Sequence, residues 1–304
     1  MRISKEELFQ LFVDTLRLRQ ENRFQDDTIR QLIANHFKYL PNRKLYKYRS
    51  CNEENFLILE EKCIWMAPPS VFCENDDKDS MIHIDRKKVE IEMKQWCDEN
   101  PKQLKSFFKT LFIEGGKIPY STKVDRKIDD YLEELKDSFI QTAISRIDER
   151  DNRLVYCMTE DPNNPQMWDE YADCETGFCI EYCFSDERLD QLQTNEYINL
   201  IYLFPVVYSD EQESFDLKSF LVQLATKKER DPLLDATLNM NLFSKRKQYE
   251  FEKEWRFMIR DRGNNKQFFP FISSIISGKR ISEDGFLRLK EIAKNLGVPL
   301  IQFS

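Results

Sequence analysis

Glycine is scarce in this chain, with 7 in 304 residues, and neither G-x-G-x-x-G nor G-x-x-x-x-G-K-[ST] occurs. Both phosphate cradles need glycine where backbone meets ligand, so these two routes to nucleotide binding are excluded. Histidine is scarcer still. His36 and His83 are the only two, remote from Cys174, Cys179 and Cys183, whose C-x4-C-x3-C spacing lacks a C-x2-C pair. A structural zinc site is therefore not expected. The chain also lacks an apolar run of about eighteen residues. Its N-terminus, "MRISKEELFQLFVDTLRLR", carries charge throughout where a signal peptide would be apolar. A cytoplasmic protein without a membrane partner is expected, its eight cysteines reduced and mostly in the core. Basic excess is missing too, since the net charge is −8. Double-stranded DNA is not expected as an obligate partner, although Lys245, Arg246 and Lys247 form a local patch that could meet a nucleotide phosphate.

Hydrophobic residues make up 41% of the chain, enough to bury a sizeable core. Residues 1–40 have helical spacing at Leu8, Leu11, Phe12 and Leu16 and read as a leading helical region. Residues 41–304 read as one α+β domain, a mixed and mainly antiparallel sheet system, with charged helices inserted at about 84–113 and 123–148. "KLYKYRS", "CIWMAPPS", "RLVYCMTE", "GFCIEYCF", "NLIYLFPVVYSD" and "EKEWRFMIR" read as strands. Asn52 caps a helix through Glu61, and another runs from Glu283 to about Asn295. No linker separates these segments, which predicts a shared sheet for 44–49, 153–158, 177–183, 200–208 and 253–260.

Four constellations carry candidate chemistry. Arg49, beside Tyr46 and Tyr48, offers a planar fork for phosphate or carboxylate. Asn75, Asp76, Asp77 and Asp79 gather carboxylates in the manner hard cations favour. They lack the glycine and terminal glutamate of an EF-hand loop, so a helix cap is expected there and no metal. Trp168 and Tyr171, with Asp169 and Asp173, form either a core stripe or a stacking platform for a planar ligand. In "YEFEKEWRFMIR", strand alternation sets Glu252, Glu254 and Arg256 on one face, opposite Phe251, Trp255 and Phe257. Two neighbouring glutamates repel unless cations relieve them. They form either a structural Glu–Arg ladder or a catalytic pair in which one works and the other modulates it.

The stretches "LYKYRS", "IWMAPPSVFCENDDKDS", "MWDEYADCETGFCIEY" and "YEFEKEWRFMI", with a weaker "ISSIISGKRIS", together resemble a bacterial family catalogued only as domain of unknown function 2971. They span about residues 45–282, and the chain departs from the family pattern at Asp77, Lys78 and Glu175. A second, looser resemblance is to ADP-ribosyltransferases of the Arg-Ser-Glu type. An early-strand arginine and a late E-x-E carry it, while a Ser-Thr-Ser strand is missing. That resemblance implies NAD as ligand, with Arg49 holding its phosphates, Glu254 stabilising the oxocarbenium-like ribose and Glu252 orienting the acceptor. An NAD glycohydrolase is the variant in which water is the acceptor. Protein and nucleic acid both stay open as other acceptors. The competing readings are a metal-dependent hydrolase or nuclease built on Asp76, Asp79 and the glutamates, and a non-catalytic sensor or interaction module, for instance in phage defence.

Overall fold

Alternating apolar residues build the centre of the molecule. In the computed structural model, which describes residues 3–21, 25–40, 42–74, 86–114, 128–148, 153–210 and 232–303, they form eleven strands. These are β1 Lys44–Arg49, β2 Cys63–Trp65, β3 Arg153–Thr159, β4 Phe178–Cys183, β5 Leu203–Pro205, β6 Val207–Tyr208, β7 Ser244–Lys245, β8 Glu254–Arg260, β9 Lys266–Phe268, β10 Ile272–Ser277 and β11 Leu300–Gln302. Seven of them make one sheet in the order β11-β10-β4-β1-β3-β8-β5, antiparallel except where β10 meets β11. The five segments expected to share a sheet all contribute strands to it. β2 joins β9, and β6 joins β7, in separate two-stranded pieces.

Leu45, Tyr156, Ile180, Tyr182, Trp255 and Phe257 pack into the main core. The leading helices Lys5–Gln20 and Asp26–Phe37 close that core, with Phe12 lying 5.2 Å from Phe204 and 5.6 Å from Phe243 between ring centroids. Ser4 caps the first of these helices in a capping box with Glu7, which satisfies two otherwise orphan N–H groups. A second, smaller core holds Tyr46, Tyr48 and Cys179 against the helix Pro165–Tyr171. Asn164 caps this short helix and Pro165 starts it, as its fixed φ suits a first turn. Gly177 has no alternative: a Cβ there would collide with the Arg49 carbonyl oxygen. Among the described residues no helix is long and apolar enough to cross a membrane.

Three expectations are corrected. The first inserted helix is two, Arg86–Glu99 and Pro101–Glu114, because Pro101 lacks the N–H needed to continue the first and opens the second. The long strand expected over residues 199–209 is a 3-10 turn followed by β5 and β6, with Pro205 ending β5 at the sheet edge. Residues Lys247–Glu252 are a 3-10 helix and not strand, and Lys253 turns the chain into β8 through a left-handed φ of 45°. Phe251 consequently packs with Tyr46, Tyr48 and Trp168 in the smaller core, not opposite Glu252 with Trp255.

Candidate functional site

A cleft opens where β1 and β3 part. β1 pairs with β4 over six positions and β3 with β8 over seven, whereas β1 and β3 share the single register pair Tyr46↔Thr159. Further along, Ala67 replaces β1 beside Val155. The space left between the strands is a cavity of about 320 Å³ lined by Tyr48, Arg49, Tyr171, Glu252 and Glu254, among others. A neighbouring cavity of about 330 Å³ shares Lys47, Arg49, Phe72 and Cys157 with it. Both fall within the ~300–1,000 Å³ typical of ligand pockets.

Two cations stand at the junction. Lys47 Nζ and the Arg49 guanidinium lie 5.2 and 5.6 Å from the centroid of the same Tyr156 ring. Among the described residues neither has a carboxylate within ion-pair distance. Burial, followed by the neighbouring charge of Arg49, holds the Lys47 amine down to about 8.

Across the cavity two glutamates are locked differently. Glu254 accepts from Arg256 Nε at 2.7 Å through one oxygen, and from Arg256 at 3.1 Å and Lys245 at 3.3 Å through the other. Arg256, fully buried, also donates to the Leu242 carbonyl at 2.9 Å. Burial would raise the Glu254 carboxyl, yet Arg256 and Lys245 outweigh it and keep the group well below the usual carboxylate range. Glu252 accepts from Lys245 Nζ at 2.6 Å and from the Tyr171 hydroxyl at 3.3 Å. Burial, then the charge of Glu254, pushes its carboxyl up to about 7 against the pull of Lys245. One carboxylate is thus fixed as an anion, and the other exchanges a proton near neutrality.

Backbone geometry holds this pair in place. Glu254 faces Thr159 across the β3/β8 ladder, and its N–H donates to the Tyr208 hydroxyl at 2.8 Å. The Thr159 hydroxyl donates to the Glu252 carbonyl at 2.5 Å, anchoring the 3-10 turn to β3. Strand alternation alone does not bring the two carboxylates together, since Lys253 in the left-handed region folds Glu252 back beside Glu254.

Of the residues singled out in sequence, Arg49, Tyr48, Tyr171, Glu252 and Glu254 line one cavity. Tyr48 shows it little polar surface, because its hydroxyl donates to the Asp161 carbonyl at 2.7 Å. Arg256 sits behind the wall as the counter-charge of Glu254. Trp168 offers no stacking face: it is fully buried, stacks on Phe303 at 4.6 Å and donates to the Pro162 carbonyl. Lys245 leaves the basic patch and faces the glutamates, while Lys247 is exposed. Asn75, Asp76, Asp77 and Asp79 lie outside the described residues. Sequence reading missed Lys47, Cys157, Thr159 and Tyr249. Only Lys47 left a signal, as a charge between two buried tyrosines, Tyr46 and Tyr48.

Searches of curated proteins and of solved structures return no match to the chain. The model of a family described as "Protein of unknown function (DUF2971)" matches residues 167–257, the segment that contributes Tyr171, Lys245, Glu252 and Glu254 to the cleft and leaves the Lys47 and Arg49 wall outside it.

Proposed function

We propose that the cleft binds NAD, or a dinucleotide closely related to it, and breaks the bond between nicotinamide and ribose. The observation that carries this reading is the pairing, across one cavity, of two cations that have no carboxylate partner among the described residues and a glutamate whose carboxyl burial pushes up to about 7. Lys47 and Arg49, two cations side by side at the junction, suit a diphosphate. With the phosphates there, the ribose falls towards Glu252 and Glu254. The C1′–N bond breaks heterolytically and nicotinamide leaves with the electron pair. Glu254, held as an anion, stabilises the positive charge growing on the ribose. Glu252 accepts the proton of the attacking water or acceptor, a role suited to a carboxylate whose pKa is near the working pH. With water, the products are ADP-ribose, nicotinamide and one proton. Tyr171, whose hydroxyl touches Glu252, orients that carboxylate.

Glu254 keeps the role that the loose resemblance implied, while Glu252, whose carboxyl is raised, takes the acceptor's proton as well as orienting it. The metal-dependent reading is weaker at this site, since both carboxylates already have Lys245 or Arg256 as counter-charge. A nucleotide sensor without turnover is the second reading, favoured by the saturation of Glu254 with donors.

Nicotinamide release from NAD, followed by chromatography, tests the proposal. Glu252→Gln is expected to lower the rate by about 10²-fold or more, the scale of a lost general base, while ADP-ribose binding persists. Wild-type protein that binds ADP-ribose but releases no nicotinamide, with protein or nucleic-acid acceptors added, would leave the sensor reading.

A further inference from the structure

The second cavity has its own chemistry, which the proposed reaction does not use. Its outer wall carries Trp65, 47% exposed at the end of β2. The other three tryptophans of the chain, Trp96, Trp168 and Trp255, are buried. Trp65 therefore presents an aromatic face to solvent beside a cavity, in a position fixed by its pairing with Lys266 across β2 and β9. Phe72 lies between the two cavities, and Ile58 and Val155 add apolar surface. On the polar side, the Asn55 amide nitrogen is committed to Ser50, at 3.0 Å to its carbonyl oxygen. Its amide oxygen accepts no hydrogen bond among the described residues, and Asn55 lines the cavity. Glu54, in the first turn of the helix capped by Asn52, places an exposed carboxylate at the same mouth.

We infer that this second cavity is the purine end of a two-compartment dinucleotide site. The base lies against Trp65, the bridging phosphates sit at Lys47 and Arg49, and the reacting sugar occupies the first cavity. The inference rests on the dinucleotide reading above and adds which end of the molecule goes where. A flat base with an exocyclic amino group fits an aromatic face beside a free amide acceptor. The Glu54 carboxylate accepts from sugar hydroxyls and repels a further phosphate at that end. The site so described takes an adenosine half and disfavours one that carries an extra phosphate on its ribose. The cations belong to the shared wall of the two cavities, which is where a diphosphate linking the halves must pass.

Tryptophan fluorescence and calorimetry of the full chain test this with four ligands: ADP, NAD, NADP and nicotinamide mononucleotide. Binding of ADP and NAD is expected to quench Trp65 emission. Trp65→Ala is expected to weaken ADP and NAD on the order of tenfold, the scale of one lost base stack, and to leave nicotinamide mononucleotide unchanged. Trp65→Phe is expected to restore most of the affinity, and Glu54→Gln to narrow the preference for NAD over NADP. Because Trp65 is half exposed, its replacement leaves the core intact, and an unchanged melting temperature verifies this. Equal weakening of all four ligands, or none, overturns the two-compartment placement, as does wild-type protein that fails to bind ADP. ADP binding that depends on Trp65 upholds the purine compartment even where no nicotinamide is released, and only the cleavage reading then falls.

Discussion

Glu254→Gln separates charge compensation from simple hydrogen bonding in this cleft. The substitution keeps the size of the side chain but removes the anion that faces Arg256, which is fully buried and bonds to Glu254 at 2.7 Å. Removing one partner of a buried ion pair costs about 3–5 kcal/mol, because the remaining charge is left uncompensated. For a chain of this size a loss of 1 kcal/mol lowers the melting temperature by about 2 °C, so the variant should melt about 6–10 °C below wild type. Glu252→Gln is the matched control. Its raised carboxyl makes ionisation unfavourable and Lys245 keeps Glu254 as partner, so a loss of no more than about 1 kcal/mol is expected, the scale of one hydrogen bond. The pH dependence separates the two further. Glu254, with its folded pKa below the unfolded value of 4.5, contributes stability that is present above 4.5 and lost as pH falls. Glu252, raised to about 7, binds more protons folded than unfolded between 4.5 and 7, so wild type loses stability as pH rises through that window and Glu252→Gln does not. Differential scanning fluorimetry from pH 4 to 9 reads all of this. Equal melting temperatures for Glu254→Gln and wild type at pH 7, or a larger loss for Glu252→Gln, would refute the assignment of fixed and mobile charges.

Two further outcomes follow from other buried groups. Lys47 is held down to about 8, so at pH 8 an anion binding beside it should draw about half a proton onto the protein. Calorimetry with pyrophosphate in buffers of different ionisation enthalpy measures this uptake, and Lys47→Met should abolish it; zero uptake by wild type would contradict the junction as the anion site. His36 is fully buried between Thr15 and the Leu203 carbonyl, and burial holds it down to about 4. The unfolded chain binds the proton first, so about 3 kcal/mol of stability is lost as pH falls from 6.5 towards 4. His36→Gln should flatten that part of the curve, and an unchanged slope would show that other groups govern acid unfolding.

The sheet was legible because its strands alternate. Leu45, Tyr156, Ile180, Trp255 and Phe257 announce a buried face, and five segments read that way contribute strands to one sheet. The helix read from Glu283 to about Asn295 runs over Glu283–Leu296, where Ser282 caps it and Gly297 ends it at a φ of 70°. What escaped depends on pairing choices made at a distance. Nothing local to β1 says that it will leave β3 after Tyr46, since that follows from Ala67 taking up Val155. Lys47 therefore drew no functional reading. The turn at Lys253 was hidden because a lysine in the left-handed region leaves no glycine or asparagine to mark it. Trp168 was left open between two readings. Its spacing from Tyr171 fits a ligand platform and a core stripe equally, and only the arrival of Phe303 from the end of the chain decides for the core.

The single register pair between β1 and β3 makes the sheet two half-sheets joined by a seam. On one side β11, β10, β4 and β1 form a continuous ladder, and on the other β3, β8 and β5 form a second. Lys47 and Arg49 belong to the first half, and Glu254 with Arg256 to the second. A ligand that touches both walls therefore acts as a staple across the seam, supplying between the halves the connection that backbone hydrogen bonds provide everywhere else in the sheet. Its binding energy adds to the cohesion of the fold itself, so occupancy of the cleft should be felt as far away as the leading helices that pack on the β5 side.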